Sequence, residues 1–205
     1  MPYAAGVGPI GDAEEALGLA GQTLGPSEWL EVTQANVDAF GRSVQDWHWA
    51  HNDPERAARG PFGGAIAHAH MTLSVIPHLR ESIMSFTRGE CMFYGYNRVR
   101  FPTIVPVGAR IRMHGTVVEA DEIDGGQQLT LDLRIEVEGQ ERPGCVAQAI
   151  WRHYDIDQPA RFARVLLGRT QLPVRPTSIK RRRSVVLAVR GEVGHLDGCS
   201  HGARR

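Results

Sequence analysis

The chain has 205 residues, 42% of them hydrophobic, and its 23 basic and 23 acidic residues give a formal net charge of zero. This length suits one ordinary domain with a substantial core, and two full domains would be cramped. No stretch approaches the ~18 uninterrupted apolar residues that a membrane span needs. The first basic residue is Arg42, which is not the pattern of a secretory signal peptide. We therefore expect a cytoplasmic protein with no membrane span.

The charge is distributed unevenly. Residues 1–159 carry 12 Arg and 21 Asp or Glu, whereas residues 160–205 carry 11 Arg or Lys and 2 Asp or Glu. The basic part lacks a hydrophobic period and is punctuated by Pro and Gly, which favours a disordered tail over residues 159–205. Its run Lys180–Arg183 has the charge for nonspecific phosphate contacts. No aromatic platform or DNA-binding module accompanies this run, so we do not expect nucleic acid as a partner.

The N-terminal part predicts little regular structure before residue 22. Residues 1–21 are rich in Gly and Ala, with a short acidic helical pattern near residues 12–19, and we interpret them as a loosely held lead-in. A short strand is expected over residues 28–32.

A first helix is predicted over residues 34–43. Thr33 is placed to cap it, and Val37 and Phe40 lie three apart on its buried face. The following segment, residues 44–59, contains polar and aromatic residues without a period, which predicts a long, functional loop. Within it, Asp53-Pro54 is typical of a helix start.

An almost continuous apolar segment over residues 62–79 predicts a helix that is buried on several sides and that opens with Gly63 and Gly64. Pro77 should bend or end this helix, because proline lacks a backbone donor and crowds the preceding turn.

The rest of the ordered sequence alternates between apolar and polar residues with a period of two. Four strands are expected, over residues 92–101, 109–120, 127–138 and 145–154. Turn signals at Asp124-Gly125-Gly126 and Glu138-Gly139 make the last three an antiparallel meander. One apolar helix followed by such a meander predicts an α+β fold of the hot-dog type, with residues 22–158 as its single domain.

Asp46 and His51 are the candidate acid/base residues. Five positions apart, they would lie about 140° apart on a regular helix, so they can share a target only on a folded-back loop. An imidazole and a carboxylate that converge on one water meet the requirement for adding water to a conjugated double bond. Free N–H groups at the start of the apolar helix would polarise the conjugated carbonyl. The spacing does not decide which residue is base and which is acid.

The Asp46–His51 spacing, followed by Ala67-His68-Ala69, resembles the signature of the MaoC-type (R)-specific enoyl-CoA hydratases, in particular their NodN-like branch. The segments Tyr94–Pro102 and Val105–Gly108 add to this likeness, which covers about residues 21–154. The resemblance implies a hot-dog enzyme that hydrates trans-2-enoyl-CoA to (R)-3-hydroxyacyl-CoA, or catalyses the reverse dehydration. It also implies a homodimer, with coenzyme A as part of the substrate and with no metal or redox cofactor.

The same resemblance implies several binding roles. The backbone N–H of Ala69 would bind the thioester oxygen, and His68, Gly64 and Asn97 would belong to the same substrate-binding site. Arg98 and Arg100 share a strand face opposite Asn97, so they are candidate contacts for the coenzyme A phosphates.

Two positions depart from the family pattern. Val44-Gln45 stands where the family usually has Thr-Gly before the aspartate, so a hydroxyl that helps to hold the loop is absent. Ala69 stands where the family has glycine, and its methyl group would crowd the substrate without removing the N–H donor. We expect these changes to alter or reduce activity.

Other interpretations stay open at this level. A hot-dog thioesterase would use a carboxylate to direct water at the carbonyl carbon, and a noncatalytic hot-dog would bind acyl thioesters without turnover. Trp47 and Trp49 would either wall the acyl pocket or pack in the core.

A metal site is a further alternative. The spacings His48-x-x-His51 and His68-x-His70 are typical of metal ligands. No HExxH helix or cysteine ligand set accompanies them, and a metal would compete with the acid/base role of His51. The three cysteines, Cys91, Cys145 and Cys199, are far apart in sequence and suggest neither a disulfide framework nor a thiolate site. We therefore expect no metal.

Overall fold

The computed structural model describes residues 9–154. The tail predicted over residues 159–205 and the first eight residues of the lead-in lie outside the described residues. The helices are α1 (Ala13–Leu17), α2 (Gln34–Val44), α3 (Trp49–Asn52), α4 (Pro54–Ala58), α5 (Ala69–Ser74) and α6 (Ile76–Glu81). The strands are β1 (Thr23–Leu24), β2 (Leu30–Glu31), β3 (Glu90–Arg100), β4 (Arg110–Ile123), β5 (Gly126–Val137) and β6 (Cys145–Tyr154). Among these described helices, none is long and apolar enough to cross a lipid bilayer.

All six strands belong to one antiparallel sheet in the order β1-β4-β5-β6-β3, with β2 also paired to β4. The three central strands run as the meander expected from the sequence. One face of β5 is apolar and at most 4% exposed, and this face consists of Leu129, Leu131, Leu133, Ile135 and Val137. Helix α5 contacts β6 and helix α6 contacts β4, so the sheet curves around this helical segment. The α+β hot-dog arrangement is therefore confirmed.

Strand bounds follow the alternating pattern closely. The strand predicted over residues 145–154 is confirmed as β6, and the other three long strands begin and end within three residues of their predicted ends. Thr33 caps α2 as expected, since its hydroxyl accepts a hydrogen bond from the N–H of Asn36 at 3.2 Å. Short-range sequence signals were sufficient for these elements because period and capping are local properties.

The continuous helix predicted over residues 62–79 is wrong in its first half. Residues 65–67 are extended, and their backbone pairs with residues 105–107: Ala67 donates to Val105, and Val107 donates to Ala65. This pairing removes the backbone groups that a helix would need, so α5 begins only at Ala69. The effect expected of Pro77 is confirmed, because the helix is interrupted at Val75 and resumes as α6 with proline in its first turn.

The description of residues 1–21 as loosely held is wrong for residues 10–19. Helix α1 is capped by Asp12, whose carboxylate accepts a hydrogen bond from the N–H of Glu15 at 2.9 Å. Ile10, Ala16 and Leu19 are at most 2% exposed and belong to the core. The small residues that suggested flexibility allow this helix to pack closely, with burial of apolar side chains supplying the free energy.

Candidate active site

The segment after α2 folds back on itself. Helix α2 ends at Val44, and the next residue, Gln45, has a φ of 58°, which turns the chain sharply toward Asp46. Residues 49–52 and 54–58, predicted as loop apart from the start at Asp53-Pro54, form the short helices α3 and α4. The side chain of Asp53 caps α4, as the sequence indicated. This path brings His51 back beside Asp46.

Asp46, His51 and His68 lie together at one end of a cavity. One ring nitrogen from each histidine and one carboxylate oxygen of Asp46 all lie within 4.8 Å of one another. The rings of His51 and His68 stack, with centroids 3.9 Å apart and an interplanar angle of 27°. The Nε2 atom of His68 lies 3.3 Å from the backbone oxygen of Asp46 and 3.9 Å from its carboxylate Oδ2. Residues from two separate segments of the chain therefore converge on one position.

The environment of His51 fixes the state of its ring. Nδ1 lies 2.7 Å from the backbone oxygen of Ile66, and because a carbonyl oxygen can only accept, this nitrogen carries the proton. Burial lowers the pKa of His51, the hydrogen bond to Ile66 opposes that change, and the neighbouring His68 lowers the pKa further. At neutral pH the ring is uncharged and its Nε2 presents a lone pair.

His68 is buried, at 3% exposure, and precedes α5 as its N-terminal cap residue without making a capping hydrogen bond. Its Nδ1 has no hydrogen-bond partner among residues 9–154, and its Nε2 faces the backbone oxygen of Asp46 as a donor. The N–H of Ala69, the first residue of α5, lacks a partner within the helix, as the first N–H groups of any helix do. The start of α5 therefore offers a donor that no bond within the helix uses, next in sequence to His68.

The cavity next to this cluster has a volume of about 890 Å³. Its polar end includes the side chains of Asp46, His51 and His68, together with Ala69. Most of the remaining wall is apolar and consists of Phe40, Val44, Ile66, Ala67, Phe101, Pro102, Ile104 and Val105. An apolar cleft with a few converging polar groups is the usual form of a small-molecule site.

Four residues expected at the site do not line this cavity: Gly64, Asn97, Arg98 and Arg100. Arg98 pairs with Asp132 at 3.0 Å, whereas the guanidinium of Arg100 donates to a backbone oxygen of its own strand.

A register shift at Asn97 explains why this residue lies away from the expected site. A bulge between Tyr96 and Arg98 interrupts the alternation of side chains along β3. Asn97 donates to Gln148 at 2.9 Å and Gln148 donates to Asp132, so Asn97 shares the outer face with Arg98. The expectation that these two residues lie on opposite faces is therefore wrong.

The two tryptophans in the segment lie away from the cavity. Trp47 is 58% exposed. Trp49 packs against Phe62, with the guanidinium of Arg56 over its ring at 5.0 Å. Neither of the two roles left open by the sequence is observed, since Trp49 packs against Phe62 outside the hydrophobic core of the described residues.

The apolar wall contains residues that the sequence did not identify. Val44 is apolar and 51% exposed, and its place two residues before Asp46 is the one signal that the sequence offers for it. The residues from Phe101 to Val105 reach the cavity only because residues 105–107 pair with residues 65–67. Such a long-range pairing leaves no local pattern.

Asp46, His51 and His68 also form the group of described residues with the right chemistry and proximity for a divalent ion. His48 and His70, from the sequence spacings, are not part of it. Nδ1 of His51 is already hydrogen-bonded to the carbonyl of Ile66, so only Nε2 of that ring could bind an ion. An ion would also take the position that the candidate acid/base pair would need for water.

The fold and the site together define a hot-dog protein with an Asp/His cluster at the start of its central helix. The family model described as the MaoC-like domain matches residues 15–139. The chain belongs to this family.

Related proteins agree with this membership. The chain is 42% identical over 136 residues to 3-hydroxyacyl-thioester dehydratase Z of Mycobacterium tuberculosis, covering 65% of this chain and 90% of that protein. It is 38% identical over 135 residues to nodulation protein N of Rhizobium leguminosarum bv. viciae, covering 63% and 83%. The structure resembles the unliganded R-hydratase PhaJ1 of Pseudomonas aeruginosa with a TM-score of 0.56, at 16% identity, covering 66% and 82%. The last likeness concerns the fold alone.

Proposed function

We propose that this protein adds water across the double bond of trans-2-enoyl-CoA thioesters to give (R)-3-hydroxyacyl-CoA, and catalyses the reverse dehydration. The observation that carries the proposal is the convergence of Asp46 and His51 on one end of an apolar cavity. The named activity of the 42% identical relative, a 3-hydroxyacyl-thioester dehydratase, supports the same reaction class. The (R) configuration rests on the family resemblance.

The neutral state of His51 supports an assignment of the acid/base roles that the sequence left open. Its unprotonated Nε2 takes a proton from water while the water oxygen bonds to C3 of the substrate. The imidazolium then returns that proton to C2, and the π bond between C2 and C3 is consumed. The carboxylate of Asp46 accepts a hydrogen bond from the second O–H group of the water. Its negative charge also stabilises the transient positive charge on the His51 ring. One water therefore supplies both the hydroxyl group and the hydrogen.

Electron density moves from C3 to the thioester oxygen as water adds, so that oxygen needs a donor. The N–H of Ala69 at the start of α5 is the proposed donor. His68 orients Asp46 through the contacts of its Nε2 with the aspartate. The proposal needs no metal or redox cofactor, and coenzyme A enters as part of the substrate.

A homodimer and a cytoplasmic location belong to the same proposal. Strand β3 lies at one end of the strand order, so one side of its backbone has no neighbour within the described sheet. Met92, Phe93 and Tyr94 on this strand are each more than a third exposed. An edge strand with exposed apolar side chains favours pairing with a second copy.

The test follows the loss of enoyl-thioester absorbance with crotonyl-CoA and longer homologues. Asp46→Asn and His51→Ala should each lower the rate by on the order of 10² to 10⁴. Asp121→Asn and His78→Ala are matched controls, because both residues are exposed and do not line the cavity. Catalytic-site variants as active as wild type would end the proposal. Release of free thiol from a saturated acyl-CoA would indicate a thioesterase, and binding without turnover would indicate a noncatalytic protein.

A further inference from the structure

Helix α2 contacts the segment that carries the acid/base pair at both ends. Near its C-terminus, the backbone oxygen of Gly41 accepts a hydrogen bond from the N–H of Asp46 at 3.0 Å. At its N-terminus, the side-chain amide of Gln34 donates to the backbone oxygen of His51 at 2.7 Å. One helix therefore holds the main chain of both residues.

A carboxylate in the middle of α2 strengthens the second contact. Asp38 Oδ1 accepts two hydrogen bonds of 2.8 Å, one from Gln34 and one from Asn52, the residue that follows His51. The bond from Asn52 and then the bond from Gln34 hold the pKa of Asp38 below its usual range. The carboxylate therefore stays charged at neutral pH, and charge-assisted hydrogen bonds are the stronger kind.

Gly41 permits an unusually close approach between α2 and this segment. A Cβ atom at this position would lie 2.9 Å from the side-chain oxygen of Asn52 and 2.9 Å from the backbone oxygen of Asp46. Glycine inside a helix costs about 1 kcal/mol relative to alanine. The contact with both ends of the catalytic segment explains why glycine stands here.

We propose that α2 fixes the separation of Asp46 and His51, with Gln34, Asp38 and Gly41 as positioning residues for the reaction. This inference rests on the proposed function. Gln34, Asp38 and Gly41 do not line the cavity, so they act on the reaction through the two residues that they hold. Their effect is large in principle, because a displacement of about 1 Å in a catalytic group costs on the order of 10²-fold in rate.

The first test compares three variants of the full chain. Asp38→Ala removes the shared acceptor and should lower kcat by about 10- to 100-fold with little change in KM, since the substrate wall is intact. Asp38→Asn keeps a side-chain oxygen that can accept both bonds and should restore most of kcat. Asn36→Ala is the control, because it truncates an exposed polar side chain of the same helix and should leave kcat unchanged.

The second test measures the titration of the His51 ring by NMR. Burial lowers the pKa of this ring, so loosening the segment should raise the pKa toward its ordinary value in Asp38→Ala but not in Asn36→Ala. A purely structural role would lower the melting temperature without moving this titration. Gly41→Ala, whose added methyl group would crowd both Asn52 and Asp46, serves if Asp38→Ala does not fold. Folded variants with wild-type kcat and wild-type His51 titration would overturn the inference.

The two proposals fail separately. A wild-type protein that turns over no enoyl thioester would refute the proposed function, and the titration would still show whether α2 positions His51. Normal turnover with no response to Asp38→Ala or Gly41→Ala would refute the role of α2 alone.

Discussion

At the scale of single residues, the chemistry proposed for His51 depends on which ring nitrogen carries the proton. The carbonyl of Ile66 binds Nδ1, so Nε2 is the nitrogen that keeps a lone pair, and His51 lines the cavity. The charged and titratable groups that act on this ring are His68 and His48, which lower its pKa, and Asp46, which raises it; burial is the largest influence and lowers it. The neutral ring is thus a consequence of position, since an isolated imidazole has a pKa of about 6.5.

The pH dependence of kcat should report this state. Because the folded protein holds the pKa of His51 below 6.5, the unprotonated base should persist as pH falls, and the acid limb should lie below pH 6.5. In that same window the unfolded chain binds the proton more readily, so His51 makes the protein less stable as pH falls. A profile of kcat between pH 4 and 8 checks the first point. An acid limb above pH 6.5 would contradict the assignment of His51 as base.

Ala69 shows how one departure from a family pattern can leave the essential group in place. Its methyl group is exposed and lines the cavity. Its N–H remains the first donor of α5, because the backbone supplies it whatever the side chain. The substitution changes the shape of the site and keeps its polarity.

At the scale of elements, α2 ends in an unfavourable conformation. Gln45 has a φ of 58°, in the left-handed region where residues other than glycine are strained. The position cannot move without moving Asp46, which is hydrogen-bonded to the same helix. Strain of this kind next to a proposed catalytic residue agrees with its usual location at functional sites.

Gln45→Gly should therefore raise the free energy of unfolding by about 1 kcal/mol, because glycine adopts this conformation without strain. Urea denaturation measures the change. Ala39→Gly is the matched control: Ala39 is exposed inside the same helix, and its replacement should lower stability by about 1 kcal/mol. If both variants lost the same free energy of unfolding, the backbone strain inferred at Gln45 would be contradicted.

The central helical segment shows why local patterns fail at some elements. The apolar run from residue 62 satisfies a buried helix and a buried extended segment equally well, because neither leaves a polar face. The pairing of residues 65–67 with residues 105–107 decided between them. That same pairing places Ala69 at the start of a helix beside His68, which is where the proposed donor is needed.

At the scale of the whole molecule, the edge strand β3 could pair with a second copy of the chain. Tyr94 on β3 is 59% exposed, and the guanidinium of Arg152 lies 3.4 Å from the centre of its ring. Pairing of two such edges would bury the aromatic side chains and satisfy the unpaired backbone groups. The dimer implied by the family resemblance is therefore compatible with the fold.

Light scattering should give a mass of about twice the chain mass of 22.6 kDa. Tyr94→Glu should shift the protein toward the monomer, because a charged side chain at the buried edge opposes association. Val118→Glu is the control, since Val118 is an exposed apolar residue of β4, away from the β3 edge. A single species of 22.6 kDa at all concentrations would refute the dimer.

Features that depend on neighbours along the chain could be predicted from the amino-acid sequence. The alternation of Leu129 to Val137 fixed a strand and its buried face, Thr33 and Asp53 marked helix starts, and Pro77 marked a break. The spacing of Asp46 and His51 and their likeness to a known signature indicated the site. These signals are local, so one chain was enough to read them.

The contacts between distant residues became known from the folded structure. It moved the start of the central helix to Ala69, brought His68 onto His51, and turned Arg98 toward Asp132 on the outer face. It also showed that α2 holds Asp46 and His51 from its two ends. Contacts between distant segments depend on packing and on backbone hydrogen bonds across the fold, and no residue pattern within one segment encodes its partner.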